Sequence, residues 1–215
     1  MPYILSIETA TPILSVALHQ NGKTITSIDH HVAQSHSSKV IMNMITYILK
    51  LDNRSLQELE AIAISAGPGS YTGLRVGLSF AKGLCLGTGL PLIGVDTLES
   101  MIQAAQAYTI EGVYCALLDA RQDSAYGLLA DACGNVLEPT KKYKLELASF
   151  EKWLNKQHVY FIGSSTVHNS TTLQSHTNSH FIHNIHPSAS YMGQVAYTKF
   201  LKKAFVDIAN FEPYY

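Results

Sequence analysis

The sequence predicts an α/β protein made of two successive blocks of strands and helices. Short β-rich runs open each half of the 215-residue chain, and segments with apolar residues at helical spacing follow. Two continuous apolar runs, residues 59–66 and 90–96, have the length of strands and are typical of strands buried on both faces of a sheet. With 47% hydrophobic and 14% charged residues, the chain can bury a sizeable core.

The first block begins with three predicted antiparallel strands. Residues 3–18 hold two β-rich runs, and Asn21-Gly22 is a type I′ hairpin signal that leads into the third. Residues 34–51 carry apolar side chains at helical spacing, with Ser35 as the expected N-cap. The remaining elements are predicted as strand, helix, strand and helix, over residues 59–66, 72–87, 90–96 and 97–107.

The second block is predicted to open with strands again and to end in a helix. We expect strands within residues 112–121, 124–131 and 158–163, and helices within 149–156 and 189–206. Residues 164–180 are rich in Ser, Thr, Asn and His, and we expect a loop with little order of its own. The predicted lobes are 1–103 and 104–215, and the final helix is the element that could pack back on the first lobe.

Charge and cysteine content restrict the classes of function. Fifteen Lys and Arg against sixteen Asp and Glu leave a net charge of −1, so the chain lacks the basic excess of a direct tRNA binder. Cys85, Cys115 and Cys133 have no metal-binding spacing, and we expect reduced thiols. Because we find neither a basic leader nor an apolar run of membrane length, we expect a cytoplasmic protein without membrane contact.

The stretch from residue 65 to 83, SAGPGSYTGLRVGLSFAKG, is a glycine-rich loop followed by a helix. It fails the Walker A pattern, which needs a Lys directly after the last glycine, and it fails G-x-G-x-x-G because Thr72 takes the third glycine's place. A helix N-terminus with flexible glycines can still hold an anion. The candidate nucleotide or anion contacts are Glu8, Gly67, Gly69, Ser70 and Thr72, and the alternative is an ordinary strand-to-helix turn.

The helix of this stretch carries an unusual stripe of small residues. Gly73, Gly77, Ala81 and Cys85 are four apart, and glycine inside a helix costs about 1 kcal/mol relative to alanine. Close approach of another helix is the usual compensation. That helix is either the chain's own 34–51 segment or one from a partner.

Four segments resemble the TsaB (YeaZ) family, the bacterial accessory proteins of tRNA threonylcarbamoyladenosine synthesis. They are SIETAT near the start, GPGSYTGLRVGLSFAKGL at 67–84, PLIGVDTLE at 91–99 and LDAR at 118–121. The resemblance is specific over residues 1–126, and the closing EPYY is similar to the family's Pro-containing end. It implies the actin/Hsp70/sugar-kinase architecture, with two RNase H-like lobes.

The resemblance also implies a noncatalytic scaffold. In the related TsaD-type transferases, an H-x-x-x-H pair binds metal after the strand equivalent to PLIGV, but Thr97 and Met101 stand at the matching positions here. We therefore expect no resident metal, no catalytic residue and no tightly bound cofactor, although ATP or ADP could lie at a partner interface. The implied partners are a TsaD-like transferase, a TsaE-like ATPase and, without them, a second copy of the chain.

Helices 34–51 and 72–87 are the expected partner interface, with Arg75 holding a partner acid at the rim. The predicted contact residues are Met44, Ile48, Gly73, Leu74, Arg75, Gly77, Leu78, Ala81 and Leu84.

Other functions remain as alternatives. An independent actin-like ATPase or small-molecule kinase would use Glu8 and the glycine loop. Asp119 and Arg121 of LDAR could bind an anion or form an internal salt bridge. His168, His176, His180, His183 and His186 crowd one polar segment, but no acidic residue lies near them to orient a metal ligand, so a solvated loop is the better interpretation.

Overall fold

Residues 1–31, 38–108, 111–120, 124–163 and 170–215 are described by the computed structural model. They divide into two compact units, Met1–Ser100 with Pro187–Tyr215, and Met101–His186. The boundary falls inside a helix, close to the predicted division at residue 103. The last 29 residues, 187–215, belong to the first unit, whereas the predicted boundaries assigned them to the second lobe.

Five strands form the sheet of the first unit: β1 (Tyr3–Glu8), β2 (Ile13–Gln20), β3 (Lys23–His31), β4 (Ala61–Gly67) and β5 (Leu92–Asp96). Their spatial order is β3-β2-β1-β4-β5. β2 pairs antiparallel with β1 and β3, whereas β4 pairs parallel with β1 and β5. The carboxyl ends of β1, β4 and β5 therefore lie along one edge of the sheet.

Both faces of this sheet are covered, which explains the continuous apolar runs. The helices α1 (Ser38–Leu51) and α2 (Tyr71–Thr88) pack on one face over Leu5, Ile7, Ile62 and Ile64. The helix α3 (Thr97–Ala105) follows β5. The last helix of the chain, Gly193–Leu201, packs on the other face of the sheet, against Ile4, Ala61, Ala63 and Ile93. Neighbouring residues of one strand thus enter different cores, as the two-residue period of a strand requires.

The second unit repeats the same sheet topology. Its strands are β6 (Val113–Asp119), β7 (Ser124–Asp131), β8 (Val136–Lys144), β9 (Val159–Gly163) and β10 (Ser179–Ile182), in the order β10-β9-β6-β7-β8. β6, β7 and β8 form an antiparallel meander, and β9 pairs parallel with β6 and β10. The short helices are α4 (Glu151–Leu154) and α5 (Thr171–Gln174), and the final helix of the first unit is α6.

Two predictions about this half of the chain were wrong for the residues that the structure describes. Residues 170–180 were expected to be a loop, but they contain α5 and the start of β10, an edge strand whose parallel pairing with β9 is not visible in a local pattern. The last helix was expected to run to residue 206, but α6 ends at Leu201 and Lys203 has a φ of 52°. The predicted N-cap Ser35 lies outside the described residues.

Candidate functional site at the glycine loop

The glycine loop is packed against the turn between β1 and β2. The Ser70 N–H donates to the Ala10 carbonyl at 2.7 Å, and the Ser70 Oγ caps α2 by accepting from the Gly73 N–H at 3.2 Å. A Cβ added at Gly69 would lie 2.8 Å from the Ala10 Cα, so only glycine permits this approach. The loop thus forms a strand-to-helix turn in which Ser70 is the N-cap.

The residues Phe211–Tyr215, called here the 211–215 segment, lie over the loop. The Tyr214 N–H donates to the Ala66 carbonyl at 3.0 Å, and the Tyr214 hydroxyl donates to Asp96 Oδ2. Gly67 has a φ of 108°, and a Cβ there would collide with the Tyr214 carbonyl. The backbone of Tyr214 thus lies directly against Gly67, where a side chain would point.

Tyr215 continues this contact onto α2. Its hydroxyl accepts a hydrogen bond from Arg75 Nε at 2.8 Å, and its ring centroid is 4.5 Å from that of Tyr71. The Arg75 guanidinium also lies 4.7 Å from the Tyr71 ring centroid, within the range of a cation–π contact. Arg75 is thereby oriented at the surface by two tyrosines.

Glu8 ends β1 and is fully buried beneath the loop. Its Oε1 accepts from the Ala10 N–H at 2.7 Å, while Oε2 has no hydrogen-bond partner among the described residues. Burial raises the pKa of Glu8 to about 7, against the opposing hydrogen bonds from Ala10 and Ser65. The buried carboxyl therefore holds a proton more readily than an exposed glutamate does.

Most of the predicted partner-contact residues face the interior of the first unit, and this part of the prediction needs correcting. Seven of the nine are buried within the chain: Met44, Ile48, Gly73, Leu74, Gly77, Leu78 and Ala81. The stripe is small because it packs on the end of β1: a Cβ at Gly77 would lie 2.8 Å from Thr9 Cγ2. Of the nine, only Arg75 is exposed and Leu84 half-buried.

A second series of small residues on α2 faces outward and was missed. Ser79, Gly83 and Gly87 are exposed and four residues apart, and an added Cβ at either glycine would meet no described residue within 4 Å. Val76, Phe80 and Leu84 are half-buried beside them, and Leu86 is 75% exposed. The helical spacing of both stripes is visible in the sequence. Which stripe faces the core and which faces solvent depends on how α2 packs on the sheet.

Thr97 and Met101, at the positions where the resemblance led us to compare a histidine pair, are both fully buried. Thr97 Oγ1 has no hydrogen-bond partner among the described residues, and Met101 lies at the start of the second unit. The preceding Asp96 caps α3 through the Leu98 and Glu99 N–H groups, at 2.7 and 3.1 Å. A buried hydroxyl and a thioether are poor ligands for a hard or borderline divalent ion.

The remaining candidate residues that the structure describes lie in the second unit. In the histidine-rich segment, His180 Nε2 lies 2.9 Å from His158 Nδ1, and the His180 ring stacks on Tyr160. Within the described ranges, no three His, Cys, Asp or Glu side chains are close enough to hold a metal. Asp119 is exposed at the end of β6, and Arg121 and His168 lie outside the described residues. None of the described helices is long and apolar enough to cross a membrane.

Comparison with known proteins finds relatives of two kinds, named TsaD and TsaB. The family model of TsaD, tRNA N6-adenosine threonylcarbamoyltransferase, matches residues 13–213. The tRNA threonylcarbamoyladenosine biosynthesis protein TsaB of Escherichia coli K12 is 40% identical over 57% of this chain and 52% of that protein. TsaB of Haemophilus influenzae is 29% identical over 99% of this chain and 92% of its own length.

Solved structures agree on the architecture. A Pseudomonas aeruginosa protein, described as uncharacterized with similarity to peptidase YEAZ, superimposes with a TM-score of 0.87 at 21% identity, covering 100% of this chain and 99% of that one. The chain therefore has the α/β fold of that protein, with two units of the same sheet topology.

Proposed function

Because this chain belongs to the TsaD family and has TsaB proteins among its relatives, we propose that it serves tRNA N6-threonylcarbamoyladenosine synthesis as a noncatalytic scaffold. In this role it pairs through α1 and α2 with a TsaD-type transferase and helps to recruit a TsaE-type ATPase. A second copy of the chain takes the partner's place when the transferase is absent.

The single observation that carries the scaffold role is the outward face of α2. Glycine inside a helix is unfavourable by about 1 kcal/mol, and at Gly83 and Gly87 no described residue uses the space that the missing side chain leaves. Exposed Leu86 and half-buried Val76 and Phe80 give this face an apolar character. A small-residue stripe beside apolar side chains suits close packing by a second helix.

Two further features support a role without chemistry of its own. Thr97 and Met101 replace the histidine pair of the transferases and are buried. The glycine loop, the other candidate for catalysis, is packed against Ala10 and the 211–215 segment. An independent ATPase or kinase would have to displace this segment before a phosphate could reach Gly67, which makes this second function the weaker candidate.

The test mixes the chain with the TsaD-type protein of the same organism and measures complex formation by size-exclusion chromatography with light scattering. Gly83→Arg places a long charged side chain on the outward face, where the fold tolerates it, and we expect the complex to be lost. Thr172→Arg, at an exposed position of α5 in the second unit, is the control and should leave the complex intact. Gly77→Arg is unsuitable because it would clash with Thr9 inside the chain.

A wild-type chain that forms no complex, even with ATP and the TsaE-type protein present, would refute the scaffold role. Tight ATP binding with turnover by the isolated chain would instead favour the kinase or ATPase function. Circular dichroism of Gly83→Arg separates a lost interface from a lost fold.

A further inference from the structure

A pocket of about 160 Å³ lies between α2 and the 211–215 segment, beside the outward face of α2. Arg75, Ser79 and Lys82, each about one turn from the next, form one wall, and Glu212 stands on the opposite wall. Leu78 and Phe211 supply apolar surface. The volume lies below the roughly 300–1,000 Å³ of typical small-molecule sites, so one amino-acid side chain is a more suitable occupant than a nucleotide.

Unused hydrogen-bond donors on two cationic side chains favour an acidic occupant. Arg75 and Lys82 line the pocket together with Glu212, and the nearby Asp207, which accepts from the Ala209 N–H and from Asn210 Nδ2, keeps its negative charge close to Lys82. Arg75 uses its Nε for Tyr215, while its two Nη groups make no hydrogen bond to a described residue. Among the described residues, Lys82 Nζ donates one long hydrogen bond, 3.4 Å, to the Ala209 carbonyl, and it also interacts electrostatically with Asp207. An arriving carboxylate would therefore find unused donors on both side chains.

The pocket is continuous with the face proposed to bind the transferase. Ser79 lines the pocket and also belongs to the exposed series with Gly83 and Gly87. A helix packed closely along these small residues would bring its own side chains to the pocket's edge. The 211–215 segment thus adds a second wall to the interface, next to the glycine stripe.

We propose that this pocket receives an aspartate or glutamate side chain of the partner protein, which pairs with Lys82 and the Nη groups of Arg75. The proposal rests on the scaffold function above. Apolar contact along the stripe brings the helices together, and the carboxylate sets their register, because charged groups contribute mainly to specificity and orientation at an interface.

The first test compares Lys82→Glu with Lys156→Glu, which makes the same charge change on an exposed residue of the second unit. Placing a carboxylate against a carboxylate should weaken the complex roughly tenfold at low salt, and less at high salt, where charges are screened. Lys156→Glu should leave the dissociation constant unchanged at both salt concentrations. Equal affinity of Lys82→Glu and wild type would overturn the proposal.

The second test identifies the occupant directly. A water-soluble carbodiimide joins a lysine amine to an adjacent carboxyl as an amide, and the reagent takes up the released water to become a urea. Mass spectrometry of the treated wild-type complex should find Lys82 joined to an Asp or Glu of the partner. If the complex forms and yields no such peptide at Lys82, the proposal fails.

These results separate the pocket from the scaffold function. If Gly83→Arg abolishes the complex and Lys82→Glu has no effect, the interface stands and the pocket assignment is wrong. If wild type forms no complex, the scaffold function itself fails. If inorganic phosphate or ATP raises the melting temperature of the isolated chain, and Lys82→Glu removes that shift without changing the complex, a small anion is the occupant and the proposal is overturned.

Discussion

Gly77 and Gly83 offer a comparison of the same substitution at two positions of one helix. Both lie inside α2, so replacement by alanine brings the same gain in helix propensity, about 1 kcal/mol. At Gly83 the new methyl group meets open space. At Gly77 it would meet the Thr9 side chain, with Cγ2 at 2.8 Å and Cβ at 3.1 Å.

The two variants should therefore change stability in opposite directions. Gly83→Ala should stabilise the first unit by about 0.5–1 kcal/mol. Gly77→Ala should destabilise it by up to about 2 kcal/mol, because overpacking a tight core costs typically 1–3 kcal/mol and the propensity gain offsets part of that. Thr9 is a β-branched residue buried at the end of β1, and it has little freedom to move away.

Urea unfolding followed by far-UV circular dichroism measures the difference. Fluorescence is less suitable because the single tryptophan, Trp153, lies in the second unit. Amide hydrogen exchange of α2 assigns the change to the first unit. Equal stabilisation by both alanines would show that Gly77 is not tightly packed and would refute the assignment of the two faces, including the choice of Gly83 as the outward position.

Three further substitutions test single contacts. Burial raises the pKa of Glu8 from 4.5 to about 7. The protonated carboxyl therefore makes its full contribution to the free energy of unfolding below about pH 4.5, and this contribution is lost as the pH rises through 7. Glu8→Gln should therefore be more stable than wild type above pH 7, by up to about 3 kcal/mol, and should show no gain near pH 4. Urea unfolding at a series of pH values measures this, and a difference that did not change with pH would contradict the prediction. Glu138 accepts hydrogen bonds from Lys141, Tyr143 and Trp153, and these bonds lower its pKa to about 2. Glu138→Gln should therefore lower the free energy of unfolding by about 2 kcal/mol at pH 7, and by progressively less as the pH falls from 4.5 towards 2. A thermal-melting deficit that persisted at pH 2 would exclude the carboxylate as its cause. Tyr214→Phe removes the hydrogen bond to Asp96 and should cost about 1 kcal/mol, with faster amide exchange in the 211–215 segment; unchanged exchange would contradict its role in holding that segment.

Much of the first unit could be predicted from the sequence because its signals are local. The Asn21-Gly22 turn, the apolar runs of β4 and β5 and the helical spacing of α1 and α2 each depend on neighbouring residues, and each element formed close to its predicted bounds. Weak local signals explain the errors. β10 has only four residues and forms by pairing with β9. A pairing of this kind leaves no local pattern in the sequence, so the segment was predicted as a loop.

The candidate site could be predicted only in part. Residue identity and spacing in the sequence were enough to predict one stripe of small residues on α2, and the family resemblance implied that Thr97 and Met101 stand where a histidine pair is expected. Only the tertiary structure decided which stripe faces the sheet and that Tyr214 and Tyr215 close the loop, more than 130 residues away in sequence from Gly67 and Arg75. The physical reason is that burial and contact are properties of the assembled sheet and its returning chain, and a helix with small residues on two sides has no local preference for which side is covered.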